Sequence, residues 1–181
     1  NLITDSLPVL ALGAEGADRD VMERPPRRAS EIFAAPSVVS MLFFGAVQAL
    51  IVILAFIYCV NAYGNAVAVT VTFFVLSFLE LFHSFSIRSD VESTFGKGFF
   101  SNKMMFLTVF IGIAVNMILC FVPVFRAAFG IVQLTTIQWL FVFAASLAII
   151  PVGELYKFVV RRLRPAQPAE RLRKTQRVTS L

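Results

Sequence analysis

Oxygen-bearing side chains cluster at the start of the chain, in N-L-I-T-D-S-L-P. Asn1, Thr4 and Asp5 stand three and four residues apart, so a helix would bring their oxygens together on one face. Pro8 has no amide proton, and its ring clashes with the carbonyl four residues back, which is that of Thr4. A freed carbonyl beside a carboxylate and an amide suits a hard cation such as Ca²⁺, which prefers oxygen ligands and tolerates irregular geometry. The simpler interpretation is that the segment only caps a helix before a turn.

A second set of polar groups surrounds Glu80, in V-L-S-F-L-E-L-F-H-S-F. A carboxylate this deep in an apolar run is costly in a membrane and is usually kept for a function or a partner. Ser77, His83 and Ser84 are three or four residues away, which predicts one polar face directed into a helix bundle, with the phenylalanines toward lipid. The alternatives are that Glu80 is a protonated structural acid or pairs with His83, and that His83 is an interfacial histidine.

The composition indicates that these residues are held by membrane helices. The chain is 58% hydrophobic and 15% charged, with a mean hydropathy of +0.81. A soluble domain is about half apolar and about a quarter charged, so the excess points to lipid. Cys59 and Cys120 lie inside apolar runs, without a Cys or His neighbour at ligand spacing. They are therefore predicted to be buried hydrophobic residues and neither a disulfide nor a metal pair.

Four apolar runs are long enough to cross the hydrocarbon core of about 30 Å as helices. They cover residues 38–60, 67–87, 104–125 and 136–160. None shows the alternation of a strand. The predicted fold is an all-α polytopic membrane helix bundle of four full transmembrane helices plus half of one span. We expect the half span to be residues 1–13, the inner end of a helix whose outer half precedes this sequence. The sequence starts without an initiator methionine, and no signal peptide is recognised.

The basic residues predict the orientation of these spans, since Lys and Arg mark the cytoplasmic side. They concentrate in the loop 14–37, in residues 88–103 and from residue 157 onward. The link near 61–65 carries no Lys or Arg, and the link near 126–135 carries one Arg. Eight of the 16 basic residues fall between Lys157 and Arg177. We therefore interpret the net charge of +5 as a signal for membrane topology and do not expect a nucleic-acid partner. The tail 161–181 is predicted to be disordered and to contact anionic lipid.

Two stretches resemble the calcium-pump branch of the P-type cation-transporting ATPases, typified by the sarco/endoplasmic reticulum pump. N-L-I-T-D-S-L-P-V-L-A-L-G-A-E, followed by R-D-V-M-E-R-P-P-R, is similar to the sixth transmembrane helix and the next cytoplasmic loop. T-T-I-Q-W-L and I-P-V-G-E-L-Y-K-F-V-V-R are similar to the tenth helix. The resemblance covers residues 1 to about 162, so the region 38–160 is expected to hold helices seven to ten.

The resemblance implies roles for individual residues. Asn1, Thr4, Asp5 and Glu80 would supply oxygens to the transported cation, with Asp5 and Glu80 as its carboxylate ligands and Ca²⁺ as the suspected ion. Ser77, His83 and Ser84 would support these ligands. Ser6 replaces the glycine common after the aspartate, which removes no ligand. ATP and Mg²⁺ would act in domains outside this sequence, because the motifs D-K-T-G and T-G-E do not occur in it.

The expected function is therefore the C-terminal part of the transport domain of an ATP-driven cation pump, an enzyme only together with the missing domains. We expect a multi-pass membrane protein with a cytoplasmic C-terminus, in the plasma membrane if bacterial. One alternative is a stand-alone membrane interaction or scaffold protein derived from a truncated pump. Another is a secondary transporter or channel with a proton relay through Glu80 and Asp5, which ranks last because no inverted repeat is found.

Overall fold

The computed structural model describes residues 2–14, 35–87 and 102–163, and within these ranges the chain forms helices and short connections without a strand. Four stretches are long and apolar enough to cross a membrane. The predicted all-α membrane helix bundle is thus confirmed, whereas Asn1, most of the loop 14–37 and the tail beyond 163 lie outside the described residues. The helices are α1 (Leu2–Gly13), α2 (Ala35–Tyr63), α3 (Asn65–Ile87), α4 (Lys103–Phe121), α5 (Pro123–Phe129), α6 (Thr136–Leu147) and α7 (Ile149–Leu163).

A single residue, Gly64, joins α2 to α3, in place of the predicted link at 61–65. Its φ of +84° lies in the left-handed region, which a glycine adopts without steric cost. The Gly64 N–H donates to the Val60 carbonyl at 3.2 Å, and the Gly64 carbonyl accepts from the Ala68 N–H at 3.1 Å. The backbone hydrogen bonds therefore continue on both sides of the reversal, and α2 and α3 pack closely along their length.

Two prolines make the last two spans differ from the predicted ones. The third run was predicted to continue to residue 125, but α4 ends at Phe121 because Val122 is extended (φ −83°, ψ 117°) and Pro123 starts α5. In the fourth run, Pro151 offers no amide to the Leu147 carbonyl, and the helix is divided there into α6 and α7. Ala148 between them keeps right-handed helical dihedrals, so the two helices continue in one direction.

Hydrogen bonds fix the connection between α5 and α6. The Thr70 hydroxyl of α3 accepts from the Val132 N–H at 3.1 Å. Thr135 and Gln138 then form a capping box, in which each side chain accepts from the backbone amide of the other. The start of α6 is thereby placed against α3.

The core is built around α3, which packs against α1, α2, α4, α6 and α7. Half of its most apolar stretch is buried, compared with 6% for α2. Phe74 and Phe78 are fully buried against Trp139 of α6, with ring centroids 4.9 and 6.3 Å apart. The prediction that the phenylalanines of α3 face lipid is therefore wrong for this face, because the aromatic rings fill the space between α3 and α6.

Candidate cation-binding site

Helix α1 carries the backbone of Thr4 and Asp5, and Pro8 lies inside it. The helix therefore continues through the proline, although Pro8 cannot offer the amide that a regular helix would present to the Thr4 carbonyl. Asn1 lies outside the described residues, as do the side chains of Thr4 and Asp5. The structure thus gives the course of the helix at the predicted ligands.

Asn102 fastens α1 to the start of α4. Its Nδ2 donates to the Ala11 carbonyl at 3.0 Å, while its Oδ1 accepts from the Met105 N–H at 3.0 Å and so caps α4. Pro8 and Ala11 are buried where α1 packs on α3 and α4. Sequence reasoning missed this residue: an Asn before an apolar run signals a helix cap, but its bond to a helix 91 positions away has no local signature.

Replacing Asn102 tests whether this bond positions α1. Asn102→Asp keeps the capping oxygen but loses the donor to Ala11. If α1 carries the predicted cation ligands, we expect the calcium affinity of the full-length protein to fall about fivefold, as for one hydrogen bond of about 1 kcal/mol. Asn102→Ala also loses the cap and should unfold at a lower temperature than Asn102→Asp. Calcium titration and thermal unfolding measure the two effects. An unchanged affinity in Asn102→Asp would show that α1 is held without this bond.

Two contacts set the relative depths of α1, α3 and α4. The Asn102 bond puts Ala11 of α1 level with the start of α4. One turn into α4, the Met105 sulfur accepts from the Ser84 hydroxyl of α3 at 3.7 Å. Because α4 runs opposite to α3, the level of Asn102 corresponds to about three residues beyond Ser84. The end of α3 at Ile87 and Ala11 of α1 therefore lie at about the same depth.

Counting residues back from this level gives the depth of the backbone at Asp5 and at Glu80. Asp5 precedes Ala11 by six residues, or about 9 Å at 1.5 Å per helical residue. Glu80 precedes Ile87 by seven residues, or about 10 Å on the same basis. The backbone positions of Asp5 and Glu80 thus lie at about the same depth on two helices that pack against each other.

Glu80 lies on the one face of α3 that the described helices leave open. The uncovered stripe consists of Val69, Phe73, Leu76, Glu80 and Ile87, which recur at helical spacing. Val69 and Ile87 are each 54% exposed and Phe73 is 37% exposed, while Glu80 is partly buried and its Oε2 is shielded from solvent. Glu80 thus lies on a face of α3 that the described helices leave partly uncovered, with one of its carboxylate oxygens shielded.

The polar neighbours of Glu80 do not form the single face that we predicted. Ser77 is buried, and the Ser84 hydroxyl points toward α4, with its oxygen 2.6 Å from the Leu81 carbonyl. The His83 ring lies 4.5 Å from that of Phe44 on α2. The reason is geometric, since residues three and four positions after Glu80 diverge from it by about 60° and 40° in opposite directions.

A complete metal site is not formed by the described part of the chain. Across residues 2–14, 35–87 and 102–163, no three His, Cys, Asp or Glu side chains come together. Cys59 and Cys120 are buried, as predicted for both.

Comparison with known proteins identifies the family. Residues 1–159 match the family model described as "Cation transporting ATPase, C-terminus", and the chain belongs to this family. The chain is 35% identical over 174 residues to Calcium-transporting ATPase 1 of Bacillus cereus, covering 87% of this chain and 20% of that protein. A calcium-transporting ATPase of Listeria monocytogenes is 33% identical over 168 residues, covering 88% of this chain and 18% of its own length.

A relative of lower identity comes from yeast. Calcium-transporting ATPase 1 of Saccharomyces cerevisiae is 27% identical over 165 residues, with 90% of this chain and 17% of that protein covered. The chain therefore spans about a fifth of the length of these relatives. Together with the four apolar helices, the family match confirms that the chain is part of a multi-pass membrane protein of the P-type ATPase class.

Proposed function

We propose that this chain is the C-terminal part of the transport domain of an ATP-driven calcium pump. Asn1, Thr4, Asp5 and Glu80 supply oxygens to the transported Ca²⁺, and the remaining helices form the scaffold that holds them. The observation that carries the proposal is the position of Glu80, on the uncovered stripe and level with the backbone of Asp5. The relatives named as calcium-transporting ATPases support the choice of ion.

The chemistry of these residues fits a calcium ion. Two carboxylates, an amide oxygen, a hydroxyl and the Thr4 carbonyl are hard oxygen donors, which Ca²⁺ prefers in groups of about six to eight. In a medium of low dielectric constant, two carboxylates repel each other strongly, and a divalent cation between them reverses the sign of that interaction. A pair of carboxylates in this position therefore favours either cation binding or protonation, which is useful to a transporter that must both load and release its cargo.

The energy source lies in the rest of the pump. ATP and Mg²⁺ act there, an aspartate is phosphorylated, and the resulting domain movements reach α1 through the loop 14–37. The C-terminus is cytoplasmic, the membrane is the plasma membrane if the cell is bacterial, and the basic tail 161–181 contacts anionic lipid. Arg161 and Arg162 at the end of α7 support this orientation, because basic residues at the end of a span mark the inner side.

The proposal is tested by the ATPase activity of the purified full-length protein under different cations. We expect activity to rise with free calcium in the micromolar range and to disappear when a calcium chelator is added in the presence of Mg²⁺. A matched series with Mn²⁺ and Na⁺ tests the choice of ion. Activity that is unaffected by the chelator, or that Na⁺ alone sustains, would contradict a calcium pump.

A further inference from the structure

A cavity of about 460 Å³ lies between α2, α3 and α7, away from the uncovered stripe. This volume is within the usual range of small-molecule sites in proteins. Its walls come from the first turns of α2, the last turns of α3 and the middle of α7, so it sits at the end of the bundle where α2 enters the membrane and α3 leaves it. The cavity is thus separate from the two carboxylates proposed to bind the cation.

One part of the wall carries polar groups. They are Ser37, Ser40, His83, Ser86, Tyr156 and Lys157. Lys157 is only 3% exposed and Ser86 only 4% exposed. Within the described part of the chain, the buried Nδ1 of His83 and the buried Oγ of Ser86 make no hydrogen bond. Buried polar atoms in native proteins are usually hydrogen-bonded, so these two point to a bound polar group.

The other part of the wall is apolar and is uncovered by the described helices. Met41, Phe44 and Ile87 contribute to it, and Met41 is 61% exposed. Helix α2 is the least enclosed of the four spanning stretches, so the described helices leave the cavity open on this side. Along α2 the lining extends from Ser37 to Gln48, a rise of about 16 Å, which reaches from the membrane interface into the hydrocarbon region.

We propose that this cavity binds a phospholipid, with its phosphodiester at Lys157, Ser86 and His83 and its first methylenes along Phe44 and Met41. A lysine ammonium is a strong donor to phosphate oxygens, and its hydrogen bonds to an anion are charge-assisted. Glu154 Oε1 lies 4.0 Å from the Lys157 Nζ, so this carboxylate offsets part of the positive charge of the ammonium. The acyl chains continue into the bilayer.

The test measures lipid retained by the full-length protein after transfer from phosphatidylglycerol-containing nanodiscs into detergent, by native mass spectrometry. We expect a bound phospholipid on the wild type, and about tenfold less on Lys157→Gln, because a charge-assisted hydrogen bond is lost. Arg126→Gln removes the same charge from α5, where Arg126 donates to Gln133 Oε1 away from the cavity lining, and should retain the lipid.

A second variant fills the cavity without removing a charge. A Cβ added to Gly45, which lines the cavity, would meet no atom within 4 Å, so Gly45→Leu should fold and exclude the lipid. Equal retention in the wild type, Lys157→Gln and Gly45→Leu would overturn the proposal. Displacement of the lipid by inorganic phosphate alone would also overturn it, because the site would then recognise only an anion. A wild type that carries no lipid, because another segment of the chain occupies the cavity, would overturn it as well. Since none of these readouts depends on calcium, the result is independent of the proposed function.

Discussion

Asp5→Asn is expected to abolish calcium-dependent phosphorylation of the full-length pump by ATP. The substitution keeps the shape of the side chain and removes its charge, so the cation loses one of the two carboxylates that we assign to it. Affinity for Ca²⁺ depends strongly on the number of charged ligands, and a site that must strip the ion of water cannot replace a carboxylate with an amide at equal free energy. Phosphoenzyme formed at micromolar calcium, measured with labelled ATP, gives the readout.

Two controls separate the loss of a ligand from a loss of folding. Ser6→Gly changes the neighbouring residue to the glycine common in the resembling pumps and should leave the calcium dependence unchanged. ATP binding by Asp5→Asn should also be normal, since we propose that the nucleotide site lies outside this chain. Wild-type levels of phosphoenzyme in Asp5→Asn at micromolar calcium would rule out the role of Asp5.

Glu80→Gln is expected to weaken calcium binding by about tenfold or more, again through the loss of one charged ligand. The effect should appear as a shift of the calcium titration of ATPase activity to higher concentration. Because Glu80 is partly buried with one oxygen shielded from solvent, its carboxylate acts in a medium where charge interactions are stronger than in water. Glutamine has nearly the same volume, so packing around the uncovered stripe should be preserved.

Glu154→Gln is the matched control for this experiment. Glu154 is also a partly buried glutamate on a spanning helix, but it lies on α7 beside Lys157 and away from the uncovered stripe. Its replacement should leave the calcium titration in place. If Glu80→Gln and Glu154→Gln both titrate like the wild type, Glu80 has only a structural role, and the proposed ligand set fails at that position.

Hydropathy was sufficient to predict the architecture. Apolar runs with few charges that are long enough to cross a bilayer can satisfy their backbone groups there only as helices, so the four spans followed from length and composition. The clustering of Asn1, Thr4 and Asp5 ahead of Pro8 and the isolated acid Glu80 likewise stood out from the sequence, because polar groups are rare and costly in such surroundings.

The details of packing could not be predicted in the same way. The orientation of α3 depends on which helix covers each side, and an apolar sequence such as that around Phe74 and Phe78 fits a protein interior as well as lipid. Helix α4 ends just before Pro123. The proline was visible in the sequence, but the predicted span was extended past it because the apolar run continues. The bond between Asn102 and Ala11 joins residues that only the fold brings together.

The single-glycine reversal at Gly64 has a consequence for biogenesis. With no loop between them, α2 and α3 cannot cross the bilayer one after the other with a stretch of free chain exposed on the far side. The pair enters as one helical hairpin, led by its tip, and a substitution that stiffens the glycine would hinder integration of both segments at once. In this connection, proteases and antibodies on that side of the membrane can reach only the turn at Gly64.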